Sequence, residues 1–489
     1  MNIAALPRLA DANRLDLVRS SIAQAILLLI VAFVTRGALF GDPVIHSDEQ
    51  FYLLVGDRML HGAWPYVDIF DRKPVGLFLI FAAIRSVTGE EVETGIVAYQ
   101  VAATLAAVAT AFTITRIAGR FASPVAALGA AVLYLVWLMI FDGAGGQSAV
   151  WYNLPMAAAA LWTLDGMSDP RRLRLRGAMT MLLVGIAMQI KYTAMFEGMF
   201  FGLTFIHLRR CTGRRPASLA IDIICWAGAA LLPTACAWGV YIASGHGDAF
   251  VFANFISIFG QRDDDTAASN LLKLAEAVGL AAPLLWLAWR GRAGNGFALA
   301  WLVAAAVALA IMHTFEQLYF LPFMLPLSVA AARGLDTAGA GIDRRRFVVI
   351  LSLGLAAAAI LTGMRIHRRG TGAQIREMVR LIGDRPAGCL FTYGSEPILY
   401  YLTRSCLPTR YIFRSHLGQS IEALGIGTDP VAETRRLLAQ RPGVIVIRAR
   451  KPTTNPATET LVLRAVADRY RLVGSVRVGS LRQYVYRLR

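Results

Sequence analysis

The residues best suited to chemistry lie just after the first apolar run of the chain. Segment 46–52 reads HSDEQFY, and segment 71–74 reads DRKP. A carboxylate such as Asp48, in a loop rich in polar and aromatic side chains, is placed to take a proton from an acceptor hydroxyl. An alternative stays open, above all for Glu49. Ser47 followed by two acids also predicts an N-cap and the acidic first turn of an amphipathic helix.

Two more groups of polar residues interrupt the apolar runs further along the chain. Asp142 follows the third run and is separated by several glycines from Asn153. The glycines indicate either a close approach of the backbone to a ligand or a flexible loop. Lys191 and Tyr192 stand between two adjacent runs, where a lysine either extends to the membrane interface or binds an anion.

A fourth group follows the ninth apolar run and contains His313, Glu316, Gln317 and Tyr319. Its histidine can titrate near neutral pH, but a lone histidine is more often structural. The group therefore gains weight only if the topology places it on the same side of the membrane as the others.

The elements that carry these residues must be membrane helices. Of the 489 residues, 56% are hydrophobic and only 17% are charged, and the mean hydropathy is +0.53. A soluble domain carries about 25% charged residues, so the deficit points to the bilayer. The apolar residues arrive in runs of about 15–25, the length of a helix that crosses the hydrocarbon layer.

Eleven apolar runs are expected to span the membrane, the first as a retained span rather than a cleaved signal peptide. They cover about 21–40, 96–115, 122–141, 153–167, 177–190, 192–208, 218–243, 271–289, 296–312, 319–334 and 347–363.

The arginine-rich connections decide the orientation of these spans. Placing them in the cytoplasm satisfies the positive-inside rule with the N-terminus inside and the C-terminus outside. We expect the membrane to be the inner membrane of a bacterium, so that the outer side faces the periplasm. Segment 75–87 is short and would reverse this rule as a span, so we interpret it as an interfacial helix within a periplasmic loop, 41–95. All four polar groups then fall on the outer side. Positive charge is not favoured there topologically, which favours anion binding for Lys191.

The polar segment 364–489 forms a second region, so the chain divides into a membrane domain, 1–363, and a periplasmic domain. Helix-like and strand-like stretches alternate in it, separated by glycine and proline, which predicts a small α/β fold. Cys389 and Cys406 lie there and can pair if this region is extracytoplasmic. One pair at this spacing leaves both the free and the bonded state open.

The net charge of +17 comes mostly from this second region, which holds 22 Lys and Arg against 8 Asp and Glu. Such an excess fits contact with anionic lipid headgroups or with an anionic acceptor, and both interpretations stay open. No reading motif or aromatic stacking pattern accompanies the charge, which argues against a nucleic acid partner.

The order and spacing of these motifs resemble glycosyltransferase family 39. That family includes protein O-mannosyltransferases and, more distantly, the aminoarabinose transferases of lipid A. The resemblance covers nearly the whole chain. It is carried by Asp48-Glu49, DRKP at 71–74, KYTA at 191–194, His313 with 319–326, YGSEP at 393–397, and Arg410-Tyr411.

The resemblance implies the GT-C membrane fold, a first loop with juxtamembrane helices, and a donor that is a sugar on polyprenyl phosphate. Carried over by position, Asp48 is the general base, and Tyr52 matches an aromatic site position. Lys73, Lys191 and His313 would neutralise the departing lipid phosphate. The remaining residues expected at the substrate site are Glu49, Asp71, Asp142, Asn153, Tyr192 and Tyr319.

Two positions depart from the family's pattern. Phe51 stands where the aminoarabinose enzymes have arginine, which puts aminoarabinose itself in doubt. Asn153 stands where many members have a second acidic residue. Either Asp142 substitutes for that acid, or the second acid is dispensable here.

Together these features predict an inverting glycosyltransferase. Asp48 would deprotonate a hydroxyl of a periplasmic glycan, lipid or protein acceptor, whose oxygen would displace polyprenyl phosphate from the anomeric carbon. No cofactor is required, although Asp48 and Glu49 leave a divalent metal open. The alternative is a flippase, transporter or polymerase of lipid-linked glycans. A transporter calls for charges in mid-span and symmetry between halves, which the sequence does not display.

Overall fold

The computed structural model of the protein describes residues 20–213, 215–261, 266–337, 341–449 and 453–489. The N-terminal segment up to Arg19, expected in the cytoplasm, lies outside these residues. Contacts divide the described residues into two compact units. The first unit draws its residues from 1–38, 103–234 and 266–361, and the second from 39–102, 235–265 and 362–489. The domain boundary expected near residue 363 stays a prediction.

Helices make up most of the described chain, and every apolar run expected in the membrane contains an α-helix, although the run at 319–334 becomes α-helical only at Met324. In chain order they are α1 (Ser21–Arg36), α2 (Ser47–Leu60), α3 (Val75–Ser86), α4 (Val92–Ala118), α5 (Pro124–Ile140), α6 (Ser148–Ser168), α7 (Leu173–Met188), α8 (Ala194–Cys211), α9 (Pro216–Ala243), α10 (Gly247–Val251), α11 (Ala267–Arg290), α12 (Gly296–Met312), α13 (Met324–Leu335), α14 (Arg344–Arg369), α15 (Gly372–Ile382), α16 (Ile398–Leu402), α17 (Pro430–Ala439) and α18 (Pro456–Arg469). A π-helical turn covers Phe252–Ile256.

Four strands form one mixed sheet in the C-terminal region: β1 (Leu390–Tyr393), β2 (Val444–Arg448), β3 (Tyr470–Val478) and β4 (Leu481–Leu488). Their order is β1-β2-β4-β3. β1 and β2 are parallel, with Leu390 opposite Val444, and β4 is antiparallel to β2 and β3. The small α/β region that the sequence predicts is therefore confirmed.

α17 is a helix that the sequence reasoning missed, although its start is well marked. The Asp429 carboxylate accepts the backbone N–H groups of Val431 and Ala432 at 3.0 and 3.1 Å. Pro430 occupies the first helical position, where its fixed φ suits a helix and its missing N–H costs nothing.

Five helical stretches in the described part of the chain are long and apolar enough to cross a membrane. They are α1 with the short 3₁₀ turn that follows it (Ser21–Leu39), α4, α9, α11, and the stretch that runs through α14 into α15 (Arg344–Ile382). Large aliphatic side chains on them, such as Ile224 and Leu272, are 71% exposed. Helices of this length with outward-facing apolar residues belong in lipid. The chain is thus a polytopic α-helical membrane protein, whereas the count of eleven spans stays a prediction.

The first unit is built around α5, whose residues from Ala126 to Ile140 are all buried. A helix that is apolar on every side belongs in the centre of a bundle. Helices α1 and α13 pack against α5, and α11 packs against α13. Gly334 permits this last contact, because a Cβ there would collide with the carbonyl oxygen of Leu287.

A buried carboxylate ties three helices of the first unit together. Asp222 of α9 is fully buried, and its Oδ2 accepts Nε of Arg209 from α8 at 2.5 Å. Arg174 of α7 pairs with Oδ1 of the same carboxylate. Two of the arginine-rich segments that set the predicted topology therefore share one counter-ion.

The second unit combines the helices of the first loop with the C-terminal sheet. α2 and α3 cross closely at Gly56, where a Cβ would lie 2.6 Å from the backbone nitrogen of Ala82. α16 packs on α2, and α15 and α18 pack on β3. The first loop and the C-terminal region are thus parts of one compact body.

α2 differs in two respects from the helix expected at 47–59. Its N-cap is His46 rather than Ser47, because Nδ1 of His46 accepts the backbone N–H of Asp48 at 3.2 Å. The prediction of an amphipathic helix is also wrong, since the residues from Glu49 to Asp57 are buried without interruption. α3 and α16 both cover this helix. α3 confirms the helix predicted at 75–87, but its place at the membrane interface stays a prediction.

Candidate active site

Asp48 stands in the first turn of α2 with its side chain 23% exposed, so its carboxylate can be reached. Tyr52, one turn further along the same face, directs its hydroxyl to Oδ2 of Asp48 at 3.5 Å. Nδ1 of His46 lies 3.7 Å from Oδ1. Because that nitrogen already accepts the N–H of Asp48, it carries a lone pair, and this contact is not an ion pair.

Glu49 projects to a different side of α2, as adjacent helix positions do. Its side chain is fully buried, and Oε2 accepts the hydroxyl of Tyr99 at 3.4 Å. Gln100 continues this network by donating to the carbonyl of Asp42 at 2.9 Å. Glu49 therefore contributes to packing between α2 and α4, and a role in substrate binding stays a prediction.

The turn before α3 brings further charges to Asp48. Asp71 is partly buried, and burial raises the pKa of its carboxyl group. Lys73 and Arg72 oppose that rise in the pKa, whereas the negative charge of Asp48 adds to it. Charges exert such effects over a few ångström. The structure thus gathers Asp48, Asp71 and Lys73, which the sequence expected at one site, into a single electrostatic cluster.

Tyr66 fixes the backbone of Lys73. Its hydroxyl donates to the carbonyl oxygen of Lys73 at 2.7 Å and lies 3.4 Å from Oδ1 of Asn254. Tyr66 adopts a φ of 71°, in the left-handed region that bulky residues rarely occupy. Asn254 belongs to the π-helical turn, an element frequent at functional sites. The sequence reasoning missed both residues, and no local pattern marks them.

Arg72 anchors the same turn to two other segments of the second unit. Its Nη2 lies 2.7 Å from Oε2 of Glu422, and its Nε donates to Oγ of Ser257 at 2.7 Å. The guanidinium also lies 5.8 Å from the centre of the Phe70 ring. Arg72 therefore holds its neighbours Asp71 and Lys73 in place. The DRKP motif by itself does not predict this structural role.

His416 is a buried histidine beside this turn that the sequence reasoning also missed. Its ring lies 5.3 Å from that of Phe70 and 6.5 Å from that of Phe51. Burial, together with the positive charges of Arg72 and Lys73, lowers the pKa of His416 to about 3. The ring is therefore neutral at physiological pH and adds no charge to the site.

Glu396, within the YGSEP motif, links the C-terminal region to α2. Its Oε1 pairs with Nη1 of Arg448 at 3.1 Å, and its Oε2 accepts Nε2 of Gln50 at 3.2 Å. The Arg410 carbonyl accepts the backbone N–H of Phe70 at 3.0 Å. Motifs more than 300 residues apart in sequence are therefore structural partners within one unit.

Lys191 and Tyr319, both in the first unit, lie together. The ammonium of Lys191 stands 4.2 Å from the centre of the Tyr319 ring, a cation–π contact. Tyr192 follows Lys191 in the turn between α7 and α8 and is partly buried. This arrangement holds the lysine against an aromatic face, and binding of an anion there stays a prediction.

Asn153, also in the first unit, serves as a buried structural link. Its Nδ2 donates to the hydroxyl of Tyr134 and to the carbonyl of Leu321, both at 3.1 Å. Asp142 is buried as well and adopts a φ of 66°, which ends α5 in a tight turn. That Asp142 substitutes for the acid expected at the position of Asn153 stays a prediction.

His313 caps the end of α12 in the left-handed conformation, with a φ of 51°. Its Nδ1 lies 3.0 Å from the carbonyl oxygen of Ala310, and its side chain is exposed. A structural role as a helix cap accounts for these contacts, and a role in binding phosphate stays a prediction.

The expected site residues thus fall into two groups. Asp48, Glu49, Tyr52, Asp71 and Lys73 lie in the second unit, where all but Glu49 belong to the Asp48 cluster. The other six lie in the first unit. No three His, Cys, Asp or Glu side chains converge as a metal site in the residues that the structure describes. Metal dependence is a matter for measurement.

No protein-family model matches this chain, and no curated protein matches it by sequence. Solved structures do match. ArnT from Cupriavidus metallidurans, in the apo state, superposes with a TM-score of 0.64 at 14% identity, over 95% of this chain and 97% of ArnT. ArnT bound to undecaprenyl phosphate superposes with the same TM-score and coverage at 15% identity. Arabinofuranosyltransferase AftD from Mycobacteria gives 0.47 at 15% identity, over 96% of this chain and 40% of AftD.

The protein therefore has the fold of ArnT, the GT-C fold, with a small C-terminal sheet region. The fold that the resemblance implies is confirmed along nearly the full length of both chains. Because identity is low, the likeness is one of fold.

Proposed function

We propose that this protein is an inverting glycosyltransferase that moves a sugar from a polyprenyl-phosphate donor to a hydroxyl of an extracytoplasmic acceptor. The observation that carries the proposal is the cluster of Asp48, Asp71 and Lys73 in a chain with the GT-C fold. It combines a reachable carboxylate with a lysine, the two charges that such a transfer needs. ArnT, of the same fold, has been crystallised with undecaprenyl phosphate, which supports a lipid phosphate as the leaving group.

In the proposed reaction Asp48 accepts the proton of the acceptor hydroxyl, and the oxygen attacks the anomeric carbon. The bond from that carbon to the phosphate oxygen breaks, and polyprenyl phosphate leaves as an anion. Lys73 neutralises the charge that develops on the phosphate, where a fixed cation contributes most. Asp71 lies near Lys73, whose positive charge opposes the rise in the pKa of that carboxyl group on burial.

Residues of the first unit complete the proposal without being needed for its central step. Lys191, held against Tyr319, and His313 are proposed to bind anions. The acceptor is proposed to be a glycan, lipid or protein hydroxyl, and the positive charge of the C-terminal region favours an anionic one.

A disulfide supports the extracytoplasmic location. Cys389 and Cys406, left open by the sequence, are bonded in the structure, with Cα atoms 5.0 Å apart. Disulfides persist in the bacterial periplasm and are rare in the cytosol. We therefore propose that the C-terminal region, and with it the cluster around Asp48 in the same unit, lies on the periplasmic side of the inner membrane.

The proposal is tested with the purified full-length protein and a polyprenyl-phosphate sugar pool from bacterial membranes. Mass spectrometry measures the polyprenyl phosphate that is released and the glycosylated acceptor. We expect Asp48→Asn to lower turnover by about 10²–10⁴, as loss of a general base does. A matched control is Glu93→Gln, which removes an exposed carboxylate from the first turn of α4.

Normal turnover in Asp48→Asn would refute the assignment of the base. Transport of the intact lipid-linked sugar across a vesicle bilayer, with no polyprenyl phosphate released, would favour a flippase instead. Loss of activity in Asp48→Asn and Glu93→Gln alike would mean that the assay reports unfolding, which the thermal midpoint of each variant checks.

A further inference from the structure

A cavity of about 420 Å³ lies within the second unit, at the ends of α2 and α3. Its charged lining consists of four arginines and two acids: Arg58, Arg85, Arg385, Arg404, Asp57 and Glu90. The excess of positive charge in a concave site raises the local concentration of anions. This cavity is distinct from the cluster around Asp48.

One of the four arginines is occupied by structural contacts. Nε of Arg85 pairs with Oδ1 of Asp57 at 3.0 Å, and its Nη1 donates to Oγ1 of Thr88 at 2.9 Å and to the carbonyl of Gly89. Arg85 and Asp57 therefore neutralise each other in the wall of the cavity. The remaining charge of the lining is that of three arginines and Glu90, which leaves an excess of positive charge.

Arg58 presents a donor that the protein leaves unused. Its Nη2 donates to the carbonyl of Ser405 at 2.7 Å, which fixes the guanidinium. Its Nη1 makes no hydrogen bond within the described residues and is not a buried atom, so a ligand in the cavity can reach it.

Arg385 and Arg404 supply two exposed cations at the mouth of the cavity, and neither pairs with a carboxylate in the described part of the chain. Both adopt left-handed backbone conformations, with φ of 44° and 48°. The backbone N–H of Arg385 donates to the carbonyl of Thr403 at 2.8 Å, so the two turns lie side by side. The Cys389–Cys406 disulfide joins the same two segments.

The cavity is too far from Asp48 to hold the reacting sugar carbon. Asp48 and Arg58 lie at opposite ends of α2, ten residues apart in sequence. At 1.5 Å per residue, the helix separates them by about 15 Å. A ligand in this cavity therefore occupies a second site on the same helix.

We infer that this cavity is an anion site that binds a phosphoryl group through Arg58, Arg385 and Arg404. Three guanidinium groups offer the forked donors that match phosphate oxygens. The group belongs either to a membrane lipid headgroup or to a soluble phosphate. This inference stands whether or not the protein transfers a sugar.

The test uses the full-length protein with Lys73→Ala, so that phosphate bound near Asp48 does not contribute. Isothermal titration in non-ionic detergent measures the affinity for inorganic pyrophosphate. Native mass spectrometry compares the amount of bound phosphatidic acid with that of bound phosphatidylcholine. We expect Arg385→Gln with Arg404→Gln to weaken binding of at least one anionic probe about tenfold or more. Arg435→Gln with Arg464→Gln removes equal charge from exposed positions outside the cavity lining.

If the cavity variant loses binding of both probes, the site accepts phosphoryl groups in general. If it loses binding of phosphatidic acid alone, the site is specific for a lipid headgroup. Equal binding of both probes by the cavity variant and the control variant would overturn the inference. Arg58→Gln provides a second variant inside the cavity, and thermal unfolding of each protein verifies that it is folded.

Discussion

Nη2 of Arg72 lies 2.7 Å from Oε2 of Glu422, a contact that joins the turn carrying Lys73 to the C-terminal region. The side chains are 13% and 6% exposed. They pair by charge, without the geometry of a hydrogen bond. Since neither charge is well hydrated, each depends on the other for compensation.

Glu422→Gln should therefore lower the thermal midpoint and the rate of transfer together. Removing one partner of a buried pair costs about 3–5 kcal/mol, because the other charge is left alone. The double variant Arg72→Gln with Glu422→Gln should regain part of this stability. Thermal unfolding of the two single variants and the double variant measures the coupling, and strictly additive effects would argue against the pair.

Lys73→Ala should impair use of the donor while leaving binding of the acceptor unchanged. If the ammonium neutralises the leaving phosphate, its loss should reduce kcat by about 10²–10³. Lys73→Arg keeps the charge and should retain more activity than the alanine variant. Steady-state kinetics with the polyprenyl-linked donor distinguish these outcomes, and unchanged kcat and KM for the donor would contradict the assigned role.

His416 should make the folded protein sensitive to acid. Its pKa is about 3 in the folded state, against 6.5 for an ordinary histidine. Between these values the unfolded chain binds a proton at this position that the folded chain does not bind. The free energy of unfolding therefore falls as the pH drops through that window, and the contribution is complete above pH 6.5.

Thermal midpoints at about pH 7 and about pH 5 measure this dependence. Between these two pH values we expect the thermal midpoint of His416→Gln to fall less than that of the unmodified protein. An unchanged slope in His416→Gln would show that other groups govern the response to acid.

Cysteine labelling on intact cells should reveal the orientation of the chain. Cys389 and Cys406 are bonded and should react with a membrane-impermeant maleimide only after an impermeant reductant. Cys211 is an exposed thiol in a connection expected in the cytoplasm, and should react only after the membrane is permeabilised. Peptide mass spectrometry locates the label, and the reverse pattern would invert the topology.

The sequence predicts the helices well, because runs of apolar residues are local signals. The motifs that carry Asp48 and Lys73 are local signals too, and their part in catalysis stays a prediction. Local signals also exist for α17, where Asp429 and Pro430 form a standard helix start. That helix is short and polar, so apolar periodicity does not reveal it.

Contacts between distant segments leave no such signal. Glu49 looks equivalent to Asp48 in sequence, yet the packing of α2 against α4 turns it to Tyr99. No sequence pattern near His416 predicts that its ring packs against that of Phe70. The N-cap of α2 is a further example, because His46 caps the helix although the next residue, Ser47, is of a type that caps helices more often.

The hydrogen bond from Tyr66 to the carbonyl of Lys73 has a kinetic consequence. Because this bond fixes the backbone, only the four-carbon side chain of the lysine is left to adjust. Binding of a phosphate there then requires little loss of conformational entropy at the moment of encounter. We therefore expect association of the donor to be governed by diffusion of the lipid within the bilayer rather than by ordering of the loop.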